Sequence, residues 1–278
     1  MIAEFAAQAG LAYAFVEREV ALMKRYWLWE VVWIIYGIVT SLSVAFIGIA
    51  APVISGTQVD PATTSRFVLY LLVGTIAWRF MGLVFENIAE IIAWERWEGT
   101  IEYTFMAPLS RAMHLAGAGF FAVLYGLIRA IILFIVVAFF FDLALPNADF
   151  FAAFVVLVAG SLAFIGIGVM TAVLPLISPE KGAQLGFVAQ GMLLVVSGVY
   201  YPVEVLPRWM EWLSVISPAT YVLDGIREAI LDGAGLSTMW DEIWPLLLIG
   251  VVAVPVGLWV FSRGEIYAKK HGKLKRSG

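Results

Sequence analysis

Apolar residues run along this chain in long blocks, separated by short clusters of charge, Gly and Pro. A hydrocarbon core of about 30 Å takes roughly 20 helical residues to cross. Six blocks have that length and read as transmembrane helices over 31–51, 67–87, 115–141, 150–174, 184–201 and 243–261. The fifth is the shortest, and Gly186, Gly191 and Gly198 weaken it as an isolated helix. Glycine also lets helices approach closely in lipid, and Gly182 and Gly186 form one such spacing at its start. No internal repeat, inverted or direct, runs through the blocks.

The stretches between blocks carry patterns of their own. In 1–30, Val16, Val20, Met23 and Trp27 recur at helical spacing while Glu17 and Lys24 fall on another face, which predicts a helix lying in the membrane interface. Between the second and third spans, 90–111 places Trp94, Trp97, Ile101 and Phe105 on one helical stripe and Glu95, Glu98 and Glu102 on another. That amphipathic helix suits docking to a soluble partner or resting at an interface. Between the fifth and sixth spans, 202–242 is too apolar for a solvated loop, and Pro207 and Pro218 each suit the start of a short helix. Neither piece is long enough to span, so both are expected as re-entrant helices at the outer face, packed on protein. The fold class is therefore all-α, a single polytopic membrane domain of six spans over 1–278.

Composition agrees with the pattern. Of 278 residues, 62% are apolar and 14% charged, against about 25% charged in soluble domains, and the mean hydropathy is +0.94. There is no cysteine, and His114 and His271 stand far apart, so neither disulfides nor a metal site is expected. No nucleophile–base pair marks a catalytic centre. Glu4 precedes any basic residue and Glu17, Arg18 and Glu19 interrupt the first apolar run, so the start does not read as a signal peptide. The stretch 263–278 is a basic tail, which beside a membrane helix marks a membrane face rather than a nucleic-acid site. With the amino terminus inside, twelve Lys and Arg fall on the cytoplasmic side and only Arg66, Arg208 and Arg227 on the other. Both termini are expected in the cytoplasm, with the chain in the plasma membrane.

Two stretches carry a resemblance. Glu95-Arg96-Trp97-Glu98-Gly99-Thr100-Ile101-Glu102, continuing to Pro108-Leu109-Ser110-Arg111, resembles the cytoplasmic coupling helix of the permease subunits of type 2 ABC exporters, which export drugs, lipids and polysaccharides. Ser197-Gly198-Val199-Tyr200-Tyr201-Pro202, with Leu206-Pro207 and Ser217-Pro218-Ala219-Thr220-Tyr221, resembles that family's extracellular end. The resemblance implies a dimer of permeases, a homodimer or a pair with a related second subunit, each seated on a cytoplasmic ATPase, with a substrate path along the permease interface and Glu95 to Glu102 coupling to the ATPase. ATP and Mg would sit on that partner. This chain has no G-x-x-x-x-G-K-[ST] motif, since Gly272-Lys273 is followed by Leu274; no cofactor of its own is expected, and the chain itself is not an enzyme.

Arg79 and Arg129 lie near the middle of the second and third spans. An arginine at that depth costs at least about 2.5 kcal/mol on insertion scales, so each requires a partner or water. Glu86, two turns from Arg79 on the same face, is the one plausible intramembrane carboxylate. Two readings stand side by side: structural pairing, or a cationic patch that with Tyr200 and Tyr201 lines the substrate path and favours anionic cargo. An ion-coupled secondary carrier and a polysaccharide-exporting ABC permease are the competing assignments, and neither changes the expected topology. Single cysteines introduced into this cysteine-free chain test that topology. A cysteine at Trp97 is expected to label from the cytoplasm, and cysteines at Asp142, Asp149 and Trp209 from outside; labelling of position 209 from the cytoplasm alone overturns it.

Overall fold

The computed structural model describes residues 2–57, 59–107, 110–141, 143, 145–178 and 181–273, and within the first helix the side chains of Gly10 and of Tyr13 onward. Pro108, Leu109, Asp142 and Leu274, singled out above, and the last residues of the basic tail, 275–278, lie outside these. The chain folds as α1 (Ile2–Arg25), α2 (Trp27–Ser55), α3 (Pro61–Ala89), α4 (Ile91–Glu98), α5 (Ile101–Met106), α6 (Arg111–Phe140), α7 (Phe150–Thr171), α8 (Val173–Ile177), α9 (Gly182–Val196), α10 (Arg208–Ile216), α11 (Pro218–Arg227) and α12 (Trp240–Lys270). It is an all-helical, polytopic membrane protein. Local chemistry sets the helix starts: Asp60, Ser110 and Asp149 accept from the Thr63, Met113 and Ala152 amides at 2.9, 3.3 and 2.9 Å, filling orphan donors of the first turns.

Among the described residues, five helices are long and apolar enough to cross a membrane: α2, α3, α6, the nearly continuous α7–α8 unit over Phe150–Ile177, and α12. The span expected over 184–201 is a shorter apolar helix. The helix there, α9, has 15 residues, about 22 Å at 1.5 Å per residue. In the most apolar stretch of α3, 67% of residues are buried, against 22% in α2; α3 is the central post and α2 a peripheral one. Helices α7 and α12 meet closely where Gly166, Gly250 and Gly257 face Ala253, Leu162 and Val169 with no room for a Cβ, the small-residue contact that lipid-embedded helices favour.

Helix α1 is close to the expected interfacial helix. Val16, Val20 and Met23 are half-buried while Glu17 and Lys24 are exposed, and α1 packs along α6. It ends sooner than residue 30, at a turn on Tyr26 that leads into α2. Helix α4, the last turn of α12 and the Arg18 region of α1 converge on one end of the bundle, the terminal end. At the opposite end, 202–242 forms a 3-10 turn over Val203–Val205, then α10, α11 and a π-turn over Glu228–Asp232. Helix α10 exposes Trp209 and Trp212, whereas α11 is buried against α3, α7 and α12.

Helix α9 stops because the chain turns at Gly198, whose φ of +70° lies in the left-handed region that favours glycine. The carbonyls of Gly198 and Val199 are satisfied by the Arg227 side chain of α11, whose Nη1 and Nη2 donate to them at 3.1 and 2.7 Å. The guanidinium lies 3.6 Å from the centre of the Tyr70 ring and is 7% exposed. Gly74 of α3 leaves the space for this junction: a Cβ there would come 2.5 Å from the Val199 oxygen and 2.7 Å from Arg227 Nη2. Gly74→Ala is therefore expected to destabilise the chain by about 1–3 kcal/mol through overpacking, and Arg227→Met by about 1–3 kcal/mol through unsatisfied carbonyls. Thermal unfolding of the purified protein in mild detergent reads both, and an unchanged midpoint in both variants would show the junction to be dispensable.

Candidate functional site

A cavity of about 1030 Å³ runs beside α3, between α1, α2, α6 and α9, from Glu98 at the terminal end to Tyr200 near the other. Its polar groups come from helical periodicity. On α2, Glu30, Trp33, Tyr36 and Thr40 recur three or four residues apart and face it, as do Arg79 and Glu86 of α3 and Tyr125 and Arg129 of α6. Arg79 donates from Nη2 to Thr40 Oγ1 at 2.5 Å and lies 5.2 Å from the Tyr36 ring centre. Arg129 donates from Nη1 to the Tyr125 hydroxyl at 3.1 Å and lies 5.4 Å from that ring's centre. Tyr200 sits beside Thr75 and within electrostatic reach of Arg79.

Of the residues suggested for a substrate path, Arg79, Arg129 and Tyr200 share this cavity. Tyr201 is not among its lining; its hydroxyl donates to the Val195 carbonyl at 2.5 Å, back onto α9. Glu86 does not pair with Arg79. Among the described residues no ion pair joins Arg79 or Arg129 to a carboxylate within 4.0 Å. Glu30, in the first turn of α2, faces the same space. Its signal was present in the sequence as the stripe Glu30, Trp33, Tyr36, Thr40.

At the mouth stands an elbow rather than one continuous amphipathic helix. Gly99, with φ +76°, ends α4 in a left-handed cap, and α5 begins after Thr100. The bend splits the supposed acidic face. Glu95 is fully buried: its Oε1 lies 2.9 Å from Arg18 Nη1 of α1 and 2.9 Å from His114 Nε2 of α6. Burial alone would raise this carboxyl, but His114 and Arg18 outweigh it and hold it below the usual carboxylate range. Arg96 is buried on the other side of α4, donating to the Leu176 and Lys273 carbonyls at 3.3 and 2.5 Å. Ile101 is buried, Glu98 and Thr100 are half-buried and Glu102 is exposed, as are Trp94 and Trp97 at 54% and 63%. The surface offered outward is thus aromatic, with Glu98 and Glu102 as its acids.

Comparison with known proteins agrees with this architecture. The model of the family described as ABC-2 type transporter matches residues 11–231. The probable multidrug ABC transporter permease YbhR of Escherichia coli is 25% identical over 173 residues, which is 62% of this chain and 46% of that protein. The linearmycin resistance permease protein LnrN of Bacillus subtilis is 29% identical over 108 residues, 38% of this chain and 28% of that one. ABC transporter G family member 20 of Dictyostelium discoideum is 33% identical over 98 residues, 35% and 13%. The chain thus spans less than half the length of these curated relatives.

The carboxyl of Glu90, between α3 and α4 at the mouth, gives this region a pH dependence. Burial, reinforced by Glu86, pushes it up to about 7 against the pull of a hydrogen bond from Trp94. A carboxyl that binds its proton more tightly in the folded state supports folding fully below about 4.5 and loses that contribution as pH rises to about 7. Unfolding midpoints are expected to fall between pH 5 and pH 8, and Glu90→Gln to reduce that fall by raising the midpoint at pH 8. An unaltered difference in the variant would refute the assignment.

Proposed function

The chain belongs to the ABC-2 type transporter family, and from that premise we propose that it is the membrane subunit of an ATP-driven exporter, moving an amphipathic molecule (drug, lipid or glycolipid) out of the cytoplasm or inner leaflet. The observation that carries the proposal is the cavity: about 1030 Å³, at the upper end of the volumes that hold small molecules, walled by apolar side chains with a few charges at mid-depth. The names of the relatives YbhR and LnrN, a multidrug permease and a linearmycin resistance permease, favour cargo of that amphipathic kind.

In this reading the terminal end of the bundle is cytoplasmic, in keeping with the twelve-to-three bias of basic residues, and the membrane is the plasma membrane. ATP and Mg are bound and ATP is hydrolysed on a separate ATPase subunit, which docks on the elbow through Trp94, Trp97, Glu98 and Glu102. A second permease copy completes the assembly. Glu95 and Arg96 do not touch the ATPase directly. They fasten the elbow from within, to α1 and α6 on one side and to α8 and α12 on the other, so that a push on the aromatic face is passed to α1, a wall of the cavity. Gly99 and Thr100 set the bend and Ile101 anchors it in the apolar interior.

Charge reversal tests the docking face. In inside-out vesicles containing the chain with its ATPase, the Glu98→Lys, Glu102→Lys double variant is expected to lose at least about tenfold in ATP-driven uptake, the effect of roughly 1.4 kcal/mol, with normal membrane insertion. Gly99→Pro should also uncouple, because the proline ring holds φ negative and this position is left-handed, with φ positive. Uptake at the parent rate in both variants would remove the elbow from the coupling role.

A further inference from the structure

The charges in the cavity are sorted by depth. On α3, Arg79 stands seven residues farther from the terminal end than Glu86, about two helical turns. On α2, Tyr36 and Thr40, which hold Arg79, stand six and ten residues beyond Glu30, roughly two and three turns. Arg129 of α6 lies within electrostatic reach of Glu30, Glu86 and Arg79. Two carboxylates therefore stand toward the mouth and Arg79 deeper in, with Arg129 within reach of all three. No direct ion pair joins these carboxylates to the two guanidiniums among the described residues, and Glu30 Oε2 is buried without a hydrogen-bond partner. Nearer the opening, Glu19, Glu90 and Glu98 face Arg18.

Ionised groups at membrane depth are costly and face partners or water. An anion alone would satisfy the arginines and confront the carboxylates, while a cation alone would do the reverse. A ligand that carries both charges, in that order of depth, satisfies both. Its apolar chain has a bed deeper than Arg79, among Val44, Ile76, Trp78 and Leu133.

Resting on the exporter reading, we propose that the cavity takes an amphiphile whose headgroup has its anion next to the apolar chain and its cation at the end, the charge order of an ethanolamine or choline phosphate. The anion lies between Arg79 and Arg129, whose planar forks suit phosphate, and the ammonium meets Glu30 and Glu86. The acidic mouth draws the cationic end outward, so the chain points into the membrane and the headgroup toward the terminal end, the posture of a lipid in the leaflet on that side.

The test is equilibrium binding to the purified full-length chain in a maltoside detergent, read by native mass spectrometry. The probes are lysophosphatidylethanolamine, dodecylphosphocholine, lysophosphatidic acid, dodecylamine and dodecyl sulfobetaine, the last with its charges in reversed order. The two phosphate zwitterions are expected to bind at least about tenfold tighter than the other three. Within the pair, a preference for the lysolipid supports a membrane lipid as the source and equal binding a free amphiphile, both with the proposed charge order. Glu30→Gln, an isosteric change, should bring lysophosphatidylethanolamine down to the level of lysophosphatidic acid, and Arg79→Lys should weaken both while keeping their rank. Sulfobetaine or lysophosphatidic acid binding as tightly as the phosphate zwitterions, or an unchanged preference in Glu30→Gln, overturns the proposal. The measurement needs neither ATPase nor transport. A chain that ranks the probes this way but exports nothing fails only the exporter reading, and one that exports without this ranking fails only the present inference.

Discussion

A helix that stops within a packed bundle leaves carbonyls that need donors, and in this protein one arginine supplies them at the turn after α9. Arg227 reaches from α11 to the Gly198 and Val199 oxygens just past the end of α9, lying flat on Tyr70 as it does so. Much else follows from the junction. Helix α9 can be short, so the next residue, Tyr200, turns into the cavity instead of continuing a span. Helix α11 must be buried to deliver the guanidinium, which draws it against α3, α7 and α12. Gly74 must be glycine-sized because backbone and guanidinium both press on it.

The terminal end is organised by the opposite device, two neighbouring charges that face away from each other. Glu95 and Arg96 are consecutive on α4, so their side chains diverge by about 100° around the helix. One closes on Arg18 and His114, the other on carbonyls at Leu176 and Lys273. Phe15 of α1 adds a ring contact to His114 at 4.6 Å between centroids. A displacement of α4 therefore strains α1 and α12 together and has no slack loop in which to dissipate. Because α1 also contributes Leu22 and Met23 to the cavity wall, with Tyr26 just beyond its end, the outer face of the elbow and the wall of the cavity are mechanically one piece.

Much of this was legible in the sequence, and what was missed has a common physical origin. Hydrophobic block length identified the five long helices within a few residues at most of their ends, because lipid imposes length directly. The periodicity of α1 was also readable, since Val16, Val20 and Met23 do turn inward. Around Trp94 the helical wheel failed, because it assumes one straight helix through Gly99, whose left-handed conformation a pattern of apolar residues does not register. Glu95 looked like surface for the same reason: a charged residue on an amphipathic helix reads as solvated unless the partners brought by Arg18 and His114, 77 residues upstream and 19 downstream, are known. Glu86 looked like the partner of Arg79 because they share a helix face, yet the Arg79 guanidinium turns to Thr40 and the Tyr36 ring of α2.

The arginines bring these points together. In a membrane protein a guanidinium either marks a side, closes a broken helix end, or faces something that is not protein. Arg96, Arg111 and Arg227 are of the second kind, each donating to two main-chain carbonyls where a helix ends or bends. The fork geometry of arginine is what makes such double capping possible, and a lysine point charge would not reproduce it. Arg79 and Arg129 depart from that pattern. Among the described residues each makes one hydrogen bond, to a side-chain hydroxyl, and rests on a tyrosine ring. Neither caps a carbonyl, so neither is required for the backbone to be satisfied at membrane depth. With five donors on each guanidinium and one used by the protein, their unused capacity points into the cavity. It is this contrast with the capping arginines, rather than their charge alone, that supports the proposal of Arg79 and Arg129 as a ligand-facing pair.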